Sequence, residues 1–404
     1  MIDRDDHLPA SLAWVDGSDA PEKSLLNIGF MPLTDSASLI VAATQGFGQP
    51  YGLSLQLRRQ SSWSALRDRL LSGELDAAQG LYGLVYGMHL GLTAQQTPMA
   101  ILMGLNQNGQ SIHLSQDLLN AGVTDGPSLA RYIRQAPRRL TLAHTFPTGT
   151  HAMWLYYWLA AYGIHPLRDI DMQVVPPSRM VEHMQAGRID GFCAGEPWGA
   201  QAVSEGLGFT LATSQSIWPD HPEKVLTCTQ AFIDQYPNTA RALIMAVLDA
   251  SRFIDASAAN QESTAQLISG DDYLTTAADI LMPRLMGHYQ DGRGRDWQDA
   301  HPLRFFAEGQ VNPPYLSDGL WFLTQFRRWG LLREDPDYHA LVNQVQQMAL
   351  YQSAASALQI PLPAAPMRAS TLFDGSHWQG KDPAGYARSF TLHAQDPLAT
   401  QGQE

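Results

Sequence analysis

The chain has 404 residues, 45 % of them hydrophobic and 16 % charged, with a formal net charge of −13 at pH 7. That length allows two or three domain-sized units with a sizeable core, and the composition excludes a disordered or coiled-coil chain. The acidic balance excludes a nucleic-acid surface, which needs clustered Lys and Arg, and it makes any small-anion site a local electrostatic exception.

Residues 1–23 are polar, contain Pro and Asp, and read as a flexible lead-in. They offer no basic n-region and no apolar run of the ~7–15 residues that an export signal needs. No stretch of ~18 apolar residues occurs to span a membrane. With Met1 as the native start, the expectation is a cytoplasmic protein. Residues 25–30 then read as a strand, and Thr34-Asp35-Ser36 as the cap of a helix through Val41. Residues 53–57 form a second expected strand, followed by a helix capped by Ser62, running to Leu71 and stopped by Gly73. This alternation predicts an α/β fold with a parallel-rich sheet.

A weak internal repeat relates Leu70-Leu71-Ser72-Gly73-Glu74-Leu75-Asp76-Ala77 to Met184-Gln185-Ala186-Gly187-Arg188-Ile189-Asp190-Gly191. Both read as a helix end, a glycine cap, an aliphatic residue, and Asp leading into a strand. The separation is too long for a solenoid, whose period is ~20–50 residues, and suits two similar lobes. The second half offers strands at 140–143 and 172–175 and helices from Thr150 and over 178–186. The helix from Thr150 has an apolar face of Trp154, Leu155, Trp158, Leu159 and Tyr162. From about Asn238 the pattern is helical (239–258 most strongly), and these helices are expected to return to the first lobe. After Ile360 the Pro-rich tail lacks periodicity and is expected to wrap or fray.

Enzyme motifs are absent: no GxSxG, HExxH, P-loop or paired CxxC occurs. Gly46-Phe47-Gly48 lacks the third glycine of a dinucleotide loop, and the thirteen histidines form no i, i+4 metal pair on a helix. Neither cofactor nor metal is expected. Cys193 and Cys228 are too few for a disulfide framework; buried free thiols in a reducing compartment are the plainer reading, with a single bridge left open. The distinctive phrases fall where strands end or helices begin, which in two-lobed α/β folds is the crevice side. They are Ser62-Trp63-Ser64, Asn106-Gln107-Asn108-Gly109-Gln110, Phe146-Pro147-Thr148-Gly149-Thr150-His151, Cys193-Ala194-Gly195-Glu196-Pro197-Trp198, and Trp218-Pro219-Asp220-His221-Pro222-Glu223-Lys224.

In this order and spacing those phrases resemble the nitrate/bicarbonate-binding family of solute receptors, densely over residues 25–236 and more loosely to the tail. The resemblance implies a periplasmic-binding-protein-like type II fold, with two lobes, a ligand cleft and a hinge. Lobe 1 would be residues 24–115 plus about 238–350, lobe 2 residues 116–237, and 351–404 a wrapping segment. It implies a binding protein rather than an enzyme, with nitrate or nitrite held by Trp63, Gln110, His151, Ala194, Gly195 and Lys224. In bicarbonate-binding relatives the position of Lys224 is acidic and helps hold calcium, so the lysine resembles the nitrate branch. Physically, nitrate suits a slot with one cation and neutral donors, and Glu196 is expected to order its loop rather than touch an anion. The lack of a signal in residues 1–23 makes the chain similar to cytoplasmic nitrate/nitrite sensors of the NasS type. These pair with an RNA-binding ANTAR-domain antiterminator of the NasT type and release it when ligand binds. The alternative is the receptor of an ABC importer. A Cys- and iron-using pyrimidine synthase shares the fold, but Cys193 stands alone.

Overall fold

The computed structural model describes residues 19–394. The expected lead-in up to residue 18 lies outside the described residues. The stretch just after it, expected to be flexible as well, is docked. Glu22 accepts hydrogen bonds from the backbone N–H groups of Asn238 (3.0 Å) and Thr239 (2.9 Å), satisfying free donors at the start of the helix Pro237–Asp255.

Two five-stranded mixed sheets organise the molecule. One contains β1 (Leu25–Phe30), β2 (Ser54–Arg59), β3 (Ala77–Leu81), β4 (Met99–Gly104) and, from later in the chain, β10 (Lys224–Thr229), in the order β2-β1-β3-β10-β4. The other contains β5 (Gln110–Ser115), β6 (Leu140–His144), β7 (Ile170–Val174), β8 (Gly191–Gly195) and β9 (Gly208–Thr213), in the order β7-β6-β8-β5-β9. The stranger in the first sheet is β10 (Lys224–Thr229), antiparallel to both neighbours; β5 plays the same part in the second. The two orders correspond strand for strand, as a duplicated lobe would have it.

The repeat seen in the sequence performs the same task twice. Asp76 donates its N–H to the Asn27 carbonyl and accepts the Asn27 N–H at 2.9 Å. Asp190 does the same with Thr141, accepting its N–H at 2.8 Å. Each carboxylate also takes a cation, Lys23 in one lobe and Arg138 in the other. Gly73 and Gly187 end the preceding helices with φ of 79° and 65°, a conformation glycine adopts without a Cβ penalty.

Sheet membership moves the lobe boundaries from where the sequence suggested. Residues 110–115 pair in the second sheet and 224–229 in the first, so the chain crosses at 105–109 and 219–223 rather than at 115/116 and 237/238. The two crossings pair with each other. Leu105 N–H bonds the Lys224 carbonyl, Glu223 N–H bonds Asn106, and Asn108 N–H bonds His221. A third segment braces them, because Gln107 and Arg304 exchange backbone hydrogen bonds.

The helix Pro237–Asp255 packs on the helix Ala37–Thr44 of the first lobe. The described residues of the tail after Ile360 pack against both lobes. Arg368 pairs with buried Asp318 at 2.9 Å, Phe373 N–H bonds the Ile217 carbonyl, and Tyr157 donates to Asp374 at 2.8 Å. Between the lobes lies an aromatic core. Trp154 of the second lobe stacks on Trp321 with centroids 4.9 Å apart, and Trp218 stands against Trp321 at 5.3 Å.

Candidate functional site

The six expected residues come from five chain segments that meet beside the crossings. Ser62 accepts the Ala65 N–H and thereby starts the helix Trp63–Leu71 with Trp63 at its first turn. Gln110 opens β5 directly across the ladder from Gly195, and Ala194 stands across from Ser111. His151 is the second residue of the helix Thr150–Ala161, whose N-cap Gly149 supplies no side-chain partner. Lys224 begins β10, its N–H held by the Asn106 side chain at 3.1 Å. All six expected residues are buried.

Contacts knit them into one cluster. The Lys224 ammonium lies 5.9 Å from the Trp63 ring centroid and 2.7 Å from Asp35 Oδ2. A Cβ placed on Gly195 would lie 3.1 Å from that same Asp35 oxygen and 3.7 Å from His151 Nε2. Gly195 is therefore the close-approach point at which both lobes face the lysine. Across the same seam, Thr34 N–H of the first lobe bonds the Glu196 carbonyl of the second at 2.9 Å. Buried polar atoms of the cluster without a hydrogen-bond partner include Trp63 Nε1, Gln110 Nε2, Gln110 Oε1 and His151 Nε2, while Asp35 Oδ2 has only its ion pair with Lys224. Leaving such a group unpaired costs about 1–3 kcal/mol each, so their presence in one buried cluster marks a place for a polar ligand.

The electrostatics differ from the expected slot of one cation among neutral donors. Two carboxylates grip Lys224, Asp35 on one side and Glu223 on the other. The segment Thr34-Asp35-Ser36 precedes the helix Ala37–Thr44 with Ser36 at its N-cap but gives it no side-chain cap, and the Asp35 carboxylate takes the Gln79 amide and the lysine. Glu223 also receives the Thr150 hydroxyl at 3.3 Å and the Trp154 indole at 3.5 Å. Burial opposes the Lys224 charge, but the two carboxylates outweigh it and hold the ammonium above its ordinary range. Burial raises Asp35 despite the lysine and pushes Glu223 up to about 7. Burial, reinforced by Lys224, holds His151 well below its ordinary value, so the imidazole is neutral.

The neutral imidazole has one ring nitrogen engaged. His151 Nδ1 lies 2.7 Å from the Thr145 hydroxyl. When that hydroxyl donates, Nε2 carries the proton and points a donor at the ligand position. Glu196 orders its loop as expected, accepting the Ala200 N–H at 2.9 Å, and it also pairs with buried Arg284 at 3.0 Å. Cys193 and Cys228 are free and buried in different sheets. Among the described residues no group of His, Cys, Asp and Glu is arranged to hold a metal, and no helix is long and apolar enough to cross a membrane.

The NMT1-like family matches residues 19–269 of the chain. The chain belongs to this family. Within the NMT1-like proteins it is 37 % identical over 399 residues to the nitrate/nitrite binding protein NrtA of Nostoc sp., covering 95 % of this chain and 90 % of that one. It is 30 % identical over 401 residues to the bicarbonate-binding protein CmpA of Synechococcus elongatus, covering 93 % and 88 %. Its fold superposes on the crystal structure of the periplasmic nitrate-binding protein NrtA from Synechocystis with a TM-score of 0.89 at 35 % identity, covering 92 % of this chain and 100 % of that one. These relatives place this NMT1-like chain among the nitrate/bicarbonate-binding solute receptors, with the two-lobed fold that the sequence resemblance implied.

Sequence reasoning missed Asp35, Glu223, Gln79, Thr145 and Arg284 in this NMT1-like receptor. Glu223 had a signal, since it is the direct neighbour of the one lysine singled out. Arg284 had none, because its segment reaches the cluster from the far end of the chain.

Proposed function

We propose that this chain is a nitrate- and nitrite-binding receptor that closes over one anion between its lobes. One observation carries the reading: a buried ammonium shares one cluster with unpartnered buried donors from both lobes. Nitrate is planar, singly charged, and offers three acceptor oxygens and no donor. It suits the Trp63 indole, the Gln110 amide and the His151 Nε2–H, with Lys224 supplying charge-assisted attraction of about 1.5–3 kcal/mol. The first turn of the Thr150–Ala161 helix adds a favourable dipole.

Delivery of the anion to an importer is the use that the named relatives favour, since they are binding proteins for nitrate, nitrite or bicarbonate, one of them periplasmic. None of these relatives supports the regulatory use, release of an RNA-binding antiterminator by a cytoplasmic sensor. Fractionating the native protein separates the two uses. A thermal-shift panel of nitrate, nitrite, bicarbonate with calcium, sulfate and chloride tests the ligand. Nitrate and nitrite should raise the melting temperature, as a ligand of the folded state must. A response to bicarbonate alone would sink the reading.

A further inference from the structure

The buried cluster contains one cation and two acids. If Asp35, Glu223 and Lys224 are all ionised, the cluster is already negative by one charge, and nitrate would make it negative by two with no water to screen it. Among the described residues, none that faces the pair supplies a second positive charge. Glu223 faces Lys224, Thr150, Trp154 and, at 4.0 Å, His221; Cys193 lies within its field. Asp35 faces Lys224, Gln79, Gly195 and, beyond the glycine, His151. His221, His144 and His151 are neutral: burial lowers the first two to about 3 and about 4, and the third further. Burial likewise keeps the Cys193 thiol neutral. Two buried guanidinium groups, Arg368 and Arg284, are already matched, by Asp318 and Glu196.

We infer that the Asp35/Glu223 carboxyl pair takes up a proton together with the anion, so that nitrate binds with a proton as its co-ligand; this rests on the receptor reading above. The proton belongs to the pair rather than to either residue, because both carboxylates share one ammonium. With one proton on the pair the cluster is neutral before the anion arrives, whereas with both carboxylates ionised it is already negative by one. The raised position of both carboxyls, Glu223 at about 7, places this exchange in the neutral range.

The sign follows from linkage. The bound anion favours the protonated pair, so the pair loses its proton at a higher pH in the complex than in the free protein. Affinity is level below the point where the free pair ionises and falls above it, by up to about tenfold per pH unit.

Calorimetric titration of the full chain with sodium nitrate, at about pH 8 in buffers of differing ionisation enthalpy, counts the protons. Uptake approaching about one proton per nitrate is the expected result. Nitrate binding with no proton uptake and a flat affinity from about pH 6 to about pH 9 overturns this inference while leaving the receptor reading intact. No nitrate binding at any pH overturns both. In the folded Glu223→Gln and Asp35→Asn variants the proton count should fall and the pH slope flatten. Unchanged proton uptake in both would place the proton elsewhere and defeat the assignment.

Discussion

Gly195 and Lys224 do most to define the cluster, and each can be tested alone. Gly195→Ala puts a methyl 3.1 Å from Asp35 Oδ2 and 3.7 Å from His151 Nε2. That is tolerable for a strand but obstructive to an anion. Nitrate affinity should fall by at least about tenfold, or about 1.4 kcal/mol, with little change in the melting curve; unchanged affinity would remove Gly195 from the site. Lys224 behaves differently. Lys224→Met leaves Asp35 and Glu223 buried without their partner, and breaking a buried pair this way costs about 3–5 kcal/mol. We therefore expect both loss of nitrate binding and a clearly lowered denaturation midpoint at neutral pH, with part of the stability recovered in acid as the carboxyls protonate. The six expected residues were legible through the resemblance. Their acidic partners were not, because a local reading of Asp35 beside Ser36 gives a helix cap, and only the fold brings Lys224 to it.

Elements of the two lobes meet with almost no slack. A Cβ on Gly83, in the helix Tyr82–His89, would lie 1.7 Å from the Thr148 carbonyl oxygen of the opposite lobe. Gly83→Ala must therefore push the helix away from the loop that leads into the helix bearing His151. The expected outcome is a lower melting temperature together with weaker nitrate binding, read by circular dichroism and calorimetry. Wild-type values for both would show that this contact yields freely. Individual elements were readable from periodicity and caps: residues 25–30 form β1, and the helix from Ser62 to Leu71 stands as expected. What the pattern could not reveal is which sheet a strand joins. The partners of β5 and β10 are set by long-range pairing, and an apolar run looks the same in either lobe. The Asp76 and Asp190 repeat was legible because its function is local, a carboxylate closing onto the neighbouring strand.

Over the whole molecule, the crossings, the braced segment at Arg304 and the tail act against free hinging. The tail's aperiodic sequence suggested wrapping or fraying; its order comes from specific polar ties and from Trp378, which is buried and donates to the Ser317 carbonyl at 2.9 Å. Truncation after Ala365 strips Asp318 of Arg368 and uncovers the helix Leu316–Arg328. We expect faster limited proteolysis and an earlier thermal transition; a truncated chain that melts like the full one would show the tail to be dispensable. The tryptophans add a practical consequence. Trp63 lies beside the ammonium, the Trp154 indole reaches Glu223, and Trp154 continues into the stack with Trp218 and Trp321. Charge changes at the lysine thus fall directly on indole rings. The receptor carries its own optical probe, and its ultraviolet emission can follow anion and proton arrival without any attached dye.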